Sequence, residues 1–444
     1  MLIVHSTNHR NIVTLLDTAP WPEPTISSMK TLPLLSLLFI TSLVSWAQAA
    51  TADELVSSAI KTNPEIRFYE AEITAARAGK ITAGQIANPE FSSELAPKTA
   101  KSPSTGAKEN GMVYRAEISQ TFDFPGRIAL RKAIAERDIA LAELGLLQFK
   151  SLLGNEVRTR AGDYSLLLRK VEATREVRQR LEELIEVLVQ RDTGSVSARL
   201  ERRILEATLL TSDRSLTDAT KAAVEARVTL NLLCGAPADR ELKLDSVAPV
   251  FPATPELAAL KAQAAKNNFQ LQQQRLQLAR QGLKIDLTKS ERWGNISFGS
   301  YFAGEKLTDE IEKEGGIVFS IPLPLWNKNK GNIAAEQARQ QQAEAMIAAT
   351  LRDLERDLTI ERSKYAAELE ALSHWRPETE KEFQAAAAEA DHHYRLGAVP
   401  ATTYVEMQRG YLDALNTLIE TRRQAWGHRM QIERLTGAAM EGAR

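Results

Sequence analysis

The stretch GGIVFSIPLPLWNKNKGNIAAEQAR, residues 315–339, changes its period in the middle. Its first half alternates between two sides, one of which carries Ile317, Phe319, Ile321 and Leu323. Alternation with period two is typical of a β-strand. From Gly331 onward, apolar and small residues recur at helical spacing instead. Because Pro322 and Pro324 cannot donate to a strand ladder, we expect the strand to end near Ile321 and the chain to pass directly into a helix.

The composition of the 444 residues excludes several classes of site. The formal net charge is -1, whereas a nucleic-acid-binding protein would carry a basic excess. The single cysteine, Cys234, allows neither an intrachain disulfide nor a zinc site built from several thiolates. We expect Cys234 to be a small buried residue. The sequence contains no convincing catalytic motif, so it predicts a protein that is not an enzyme and uses no cofactor.

Residues 29–49 have the form of a secretory signal peptide. Lys30 gives the basic start, an apolar core runs from Leu32 to Trp46, and Ala47-Gln48-Ala49 fits a small-x-small cleavage site. A buried N-terminal helix is the alternative, but it leaves the cleavage pattern unexplained. We therefore expect residues 1–28 to be an upstream extension and the mature chain to begin near Ala50.

Two halves of the chain carry the same pattern in the same order, which indicates an internal repeat. Asn63 matches Asn268, and Gly194 matches Gly397. Each half predicts a helix, a strand, a second strand, a long helix and a return helix. The predicted repeats are residues 50–235 and 257–437, joined by a proline-containing linker at 236–256 and followed by a tail at 438–444.

The long helices are too long for a compact core. No proline interrupts residues 127–191, a span of roughly 100 Å at 1.5 Å per residue. Such helices pack against neighbours in coiled-coil fashion. The corresponding helix, residues 331–395, contains Pro377, so we expect a kink or break near Trp375.

The strands alternate between apolar and polar sides over about 10 residues, as membrane-barrel strands do. A soluble hairpin with one buried face would show the same period. Four strands cannot close a barrel, and open edges are not tolerated in lipid. Three chains would supply 12 strands, enough for an open lumen, so the pattern favours a trimer. At the rim, Trp326 fits an interfacial anchor, with packing at a turn as the alternative.

The chain resembles the TolC-like outer-membrane factor family over about residues 52–437. The similar segments are ISQTFDFPGRIALRKA (118–133), SIPLPLWNKNKGNIAAEQAR (320–339) and the stretch from Trp375 to Ala414. The two strand-to-helix joints are most similar to the heavy-metal, CzcC-like branch. The resemblance implies a mainly α fold with a small β part: a periplasmic α-barrel of long coiled-coil-type helices, and four transmembrane strands per chain in a 12-stranded barrel of a homotrimer.

The resemblance also implies a passive exit duct in the outer-membrane lipid. A periplasmic adaptor would join it to an inner-membrane RND pump, which supplies the energy. Heavy-metal cations are the expected cargo. Organic compounds, or a polypeptide in type I secretion, are alternatives for the same duct. A soluble periplasmic coiled-coil scaffold without a pore is the alternative from another class.

Family features can be carried over only where single residues match. The periplasmic tips that meet the adaptor would be Gln190, Arg191, Gly194, Val196, Tyr394, Arg395, Leu396, Gly397 and Val399. The barrel rim turns would be Pro125, Gly126, Pro322, Pro324, Trp326 and Gly331. Glu406 and Thr403 occupy the gate positions, and three Glu406 side chains would form a ring that attracts cations. An ordinary solvated helix residue is the alternative for Glu406.

The pair His392-His393 is the one hint of metal binding in the sequence. Adjacent residues on a helix point about 100° apart and rarely chelate one ion. Asp391 is the nearest further ligand. The pattern therefore favours a solvated helix face over a metal site.

Overall fold

A computed structural model describes residues 51–101, 103, 106–190, 195–244, 250–307, 310–376 and 378–440. The predicted upstream extension and signal peptide lie outside the described residues. So do Arg191, Gly194 and Pro377, and the last four residues of the tail.

The first half contains four helices and two strands among the described residues. In chain order they are α1 (Ala52–Thr62), α2 (Glu65–Ala83), β1 (Glu90–Lys101), β2 (Lys108–Phe122), α3 (Arg127–Gln190) and α4 (Val196–Leu233). The helix α3 runs for 64 residues, about 96 Å at 1.5 Å per residue.

The second half repeats this order with one additional break. Its elements are α5 (Leu257–Asn267), α6 (Phe269–Ser290), β3 (Ile296–Lys306), β4 (Ile311–Ser320), α7 (Lys330–Ser373), α8 (Thr379–Arg395) and α9 (Ala401–Thr436). The break between α7 and α8 falls where the sequence predicts one, near Trp375. Within the described part of the chain, no helix combines the length and the apolar character needed to cross a membrane.

The strands form one antiparallel sheet in the order β1-β2-β3-β4. Each half supplies a hairpin, and the central pairing of β2 with β3, from Met112–Lys306 to Phe122–Ile296, joins the halves. The prediction of a mainly helical fold with four strands is therefore confirmed.

The helix ends show why the two halves fold alike. Gly235 after α4 and Gly437 after α9 have φ values of 64° and 66°, the left-handed conformation that ends helices without a Cβ penalty. Each of these ends rests on the end of its half's first helix. Thr62 Oγ1 donates to Cys234 O at 2.6 Å, and Asn268 Nδ2 donates to Leu435 O at 2.9 Å. Cys234 is buried there, as predicted, and burial raises the pKa of its thiol.

Among the described residues, the apolar core consists of three clusters along the helices. The first joins α3, α4, α8 and α9 around Leu181, Leu205, Tyr404 and Tyr411. The second joins α1, α3 and α4 around Ala59, Val157 and Leu230. The third joins α5, α7 and α9 around Leu260, Leu358, Tyr365 and Ile432. The helices are therefore held together by small apolar clusters along their length and not by one large core.

The carboxyl end of α6 connects the sheet to the long helices. Arg127 begins α3 and is buried. Its guanidinium donates to Ser290 O, the last residue of α6, at 3.0 Å, and also to Trp293 O and Asn295 Oδ1. A cation is unfavourable at the start of its own helix but favourable at the end of another. The placement of Arg127 is therefore explained by α6.

The second joint uses the same helix end. Asn329 takes a left-handed conformation with φ of 57°, and its Nδ2 donates to Thr288 O at 2.9 Å. The helix α7 then begins at Lys330. Gly331, predicted at the rim where this helix starts, lies in the first turn of α7.

We expect Arg127→Ala to destabilise the protein by about 1–2 kcal/mol, because it leaves half-buried carbonyl acceptors at the joint without their donor. Arg127→Lys should recover only part of the loss, since an ammonium lacks the fork that spans several acceptors. Thermal unfolding in detergent measures the effect. Arg137→Ala, an exposed position on the same helix, is the control and should change stability by less than about 0.5 kcal/mol. Equal stability of Arg127→Ala and this control would contradict the role of Arg127.

Candidate functional site: the helical tip and the open sheet

The turn between α8 and α9 forms one tip of the helical region. Gly397 has a φ of 74°, its N–H donates to Tyr394 O at 2.9 Å, and Ala398 N donates to His393 O at 2.9 Å. This is the glycine-based helix end that the sequence predicts. The segment that matches this turn in sequence, residues 191–194 with Arg191 and Gly194, lies outside the described residues.

The predicted tip residues divide into buried and exposed ones. Tyr394 is buried and stacks on Tyr404 with ring centroids 5.4 Å apart. Val399 packs against the first core cluster. Leu396, 67% exposed, and Val196, 62% exposed, face solvent. Tyr394 therefore packs inside the chain, and the surface open to a partner at this tip is smaller than the motif suggests.

One side of α9 near the tip is buried and uncharged. The pKa of Tyr404 is raised far above the ordinary value for a phenol, first by burial and then by the charge of Asp391. Gln408, fully buried one turn further along α9, donates to Ala387 O at 2.7 Å. The phenol stays neutral at physiological pH, so the buried side of α9 carries no charge at these two positions.

A row of polar contacts joins α8 to α3. Arg169 Nε lies 2.8 Å from Glu380 Oε1, and Gln384 Nε2 donates to Glu176 Oε2 at 3.0 Å. Arg395 bridges Asp391 at 2.8 Å and Glu183 at 3.5 Å, and these carboxylates help to raise its pKa. Arg395, predicted as a partner contact, is therefore engaged within the chain. The sequence shows the charges but not these pairs, because spacing along one helix does not reveal which helix lies beside it.

Glu406 and Thr403 lie on the exposed side of α9, opposite the buried Tyr404 and Gln408. They are three residues apart and therefore share a face of the helix. Arg409 is also exposed, one turn beyond Glu406. A single chain thus presents the predicted gate residues outward and leaves them available to face other copies.

The sheet separates apolar from polar side chains. The register places one set of large apolar residues on the same face, all of them exposed: Phe91, Leu95, Met112, Ile118, Phe122, Phe298, Phe302, Ile311, Ile317 and Phe319. The other face is polar, and its charged residues are Glu90, Glu94, Lys98, Glu109, Arg115, Glu117, Glu305, Glu312 and Glu314. On the polar face Lys98 pairs with Glu305, and Arg115 pairs with Glu117 at 3.0 Å.

The predicted rim residues lie where the strands meet the helices. Pro125 and Gly126 form the turn before α3, and Gly126 has a φ of 91°. Pro322 packs on Gly294, where an added Cβ would approach the proline ring to 2.2 Å. Trp326 is 91% exposed, so packing within the chain does not explain it.

The adjacent histidines have no converging ligands among the residues that the structure describes. The rings of His392 and His393 are 5.7 Å apart, and His393 Nε2 lies 3.6 Å from Glu389. Across the described ranges, no group of three or more His, Cys, Asp or Glu side chains could hold a metal ion.

We expect Glu380→Ala to loosen α8, because Glu380 accepts from Arg169 on α3 and lies 3.6 Å from Arg422 on α9. A loss of about 1 kcal/mol would speed proteolysis between α7 and α8 about fivefold. Limited proteolysis of the folded protein measures this. Glu389→Ala is the matched control, since its side chain is 73% exposed on the same helix. Equal cleavage rates in the two variants would show that Glu380 does not secure α8.

The fold is similar to those of solved outer-membrane channels. The outer-membrane channel OprN has 18% identity and a TM-score of 0.67, covering 87% of this chain and 90% of that one. CusC, solved in work on folding and transmembrane channel formation, has 16% identity and a TM-score of 0.61, covering 89% and 96%. The CmeC outer-membrane channel of Campylobacter jejuni has 12% identity and a TM-score of 0.63, covering 88% and 87%. No protein-family model and no curated protein matches the chain. At these identities the likeness shows the fold that the chain shares with these channels.

Proposed function

We propose that the chain is an outer-membrane exit duct of a tripartite RND-type efflux system, most similar to the heavy-metal, CzcC-like branch. Three copies would pair their sheets into a 12-stranded barrel and their helices into a periplasmic tunnel. The duct is passive. An inner-membrane RND pump supplies energy through a periplasmic adaptor, and residues 29–49 are removed during export.

The observation that carries the proposal is the sheet. Its apolar face is exposed, and Phe91 and Ile317 on it are each 71% exposed. Its outer strands, β1 and β4, each have one edge without a partner strand in the described chain. An exposed apolar face suits lipid, but open edges in lipid leave backbone groups unsatisfied. Pairing β1 of one copy with β4 of the next would remove both edges.

The polar face of the sheet supports a cationic cargo. Seven carboxylates and two basic side chains lie on it among the described strand residues. In a closed trimer this face would line the lumen, and clefts lined by one sign of charge raise the local concentration of counter-ions. Heavy-metal cations fit this field. Organic compounds remain the second candidate, because the shared fold carries no information on cargo.

The helical tips support contact with an adaptor. Leu396, just after α8, and Val196, at the start of α4, are exposed apolar side chains, and Leu200 continues the exposed stripe on α4. Gln190, Arg191, Gly194 and Gly397 belong to the same turns by sequence. We assign this end of the helices to the adaptor and the exposed face of α9 to the pore.

A strain that lacks the gene, complemented with the wild-type chain, tests function and cargo together. We expect deletion to sensitise cells to divalent metals such as zinc, cobalt and cadmium, and complementation to restore growth. Bile salts, dyes and antibiotics are tested in parallel. Sensitivity to organic compounds alone would keep the duct and reject the metal cargo. Recovery of the protein in the soluble periplasmic fraction, without detergent, would reject the duct in favour of a soluble scaffold.

We expect Glu406→Gln to reduce cation selectivity in planar bilayers, because it removes a carboxylate from each copy at the tip. Thr403→Glu should act in the opposite direction, since it adds a carboxylate on the same face one turn away. Reversal potentials in a salt gradient measure both changes. Unchanged selectivity in both variants would show that this face of α9 does not line the constriction.

A further inference from the structure

The apolar face of the sheet carries charge at one end only. Among its described residues, the charged ones are Lys101, Lys108, Lys306 and Lys313. All four are lysines, all are exposed, and each lies within three residues of a hairpin end of its strand. We refer to them as the lysine row.

The lysine row crosses the sheet from one outer strand to the other. Lys101 on β1 lies directly opposite Lys108 on β2. Lys306 on β3 lies opposite Met112 on β2 and Ile311 on β4, and Lys313 lies opposite Gly304. Like charges directly opposite each other destabilise a strand pair. An external anion over the row would offset this repulsion.

The described carboxylates of these strands do not neutralise the row. The nearest along the strands, Glu109, Glu305 and Glu312, lie on the opposite face by register. Each is one residue from a lysine of the row, so it points away from that lysine. Of these, Glu305 is already paired with Lys98 on the polar face.

Beyond the row, and beyond the polar pair Thr99 and Asn110 beside its β1–β2 end, the same face is apolar. Phe298, Phe302, Ile317 and Phe319 are exposed on the same face, further from the hairpin ends. Lysine stems can lie on apolar surface while the ammonium reaches a polar layer. The ligand that matches this order of charge and apolar surface is an amphiphile with an anionic head and acyl chains.

We propose that the lysine row binds the phosphate groups of lipid headgroups in the outer leaflet, with the acyl chains on the apolar face beside it. The assignment rests on the proposed function, which places the sheet in the outer membrane. The other ends of all four strands lead into helices, so the hairpin ends are the ones far from the periplasmic tunnel. In the proposed duct they would face the outer leaflet.

The test uses the mature full-length chain in detergent, with lipid A as the probe. Native mass spectrometry counts the lipid molecules retained per assembly. We expect the wild type to retain lipid A, and replacement of all four lysines by Gln to weaken retention by at least about tenfold, since each basic residue near an anionic lipid surface contributes to attraction. The matched variant with all four replaced by Arg should retain lipid A as the wild type does.

Three results would overturn the proposal. They are retention by the Gln variant equal to that of the wild type, equal retention of lipid A from which both phosphates have been removed, and displacement of lipid A by inorganic phosphate at equal concentration. Lys101→Gln with Lys108→Gln alone gives a milder test if the fourfold variant fails to assemble. Membrane fractionation distinguishes failure of the lysine-row proposal from failure of the proposed function. A Gln variant that still enters the membrane and binds lipid A normally overturns only the lysine row.

Discussion

The structure depends on a sheet of four strands that cannot satisfy its own edges. Backbone N–H and C=O groups at the outer edges of β1 and β4 lack partner strands within the described chain, while one face of the sheet presents exposed aromatic and aliphatic side chains. In water such a surface aggregates, and in lipid its edges are costly. In the proposed trimer, association with further copies would resolve both problems.

The carboxyl end of α6 links the sheet to the long helices. Arg127 and Asn329, at the starts of the two long helices α3 and α7, both hydrogen-bond to carbonyls of the last turn of α6. The helices thus leave the sheet from a common anchor. Further along, contacts from Arg169 and Glu176 hold α8 beside α3, where the proline-containing segment divides the second long helix. The fold is thus a four-stranded sheet followed by long helices that pack on one another through small apolar clusters.

Local sequence patterns predict much of this organisation. The change of period after Ile321 predicts where a strand ends, Gly397 predicts a turn, and Pro377 predicts a divided helix. Each of these features depends only on neighbours in sequence. Burial of Tyr394 and the pairing of Arg395 with Glu183 could not be predicted, because they depend on which helices lie side by side. The start of α7 lies within one residue of the predicted start at Gly331, but the left-handed conformation of Asn329 just before it could not be read from the sequence. The role of Glu406 depends on other copies of the chain and stays a proposal.

Cross-linking between copies tests the central claim most directly. In a Cys234→Ser background, one cysteine replaces Ile317 on β4, and a second replaces Phe91, Ser93 or Leu95 in turn on β1, all on the apolar face. A disulfide requires Cα atoms within about 7 Å, so it reports adjacent strands. We expect one of these pairs to give a ladder that ends at three linked chains, and neither single cysteine to give more than dimers. Absence of cross-links for every pair in membrane-inserted protein, or a ladder beyond three chains, would contradict a barrel closed by three copies.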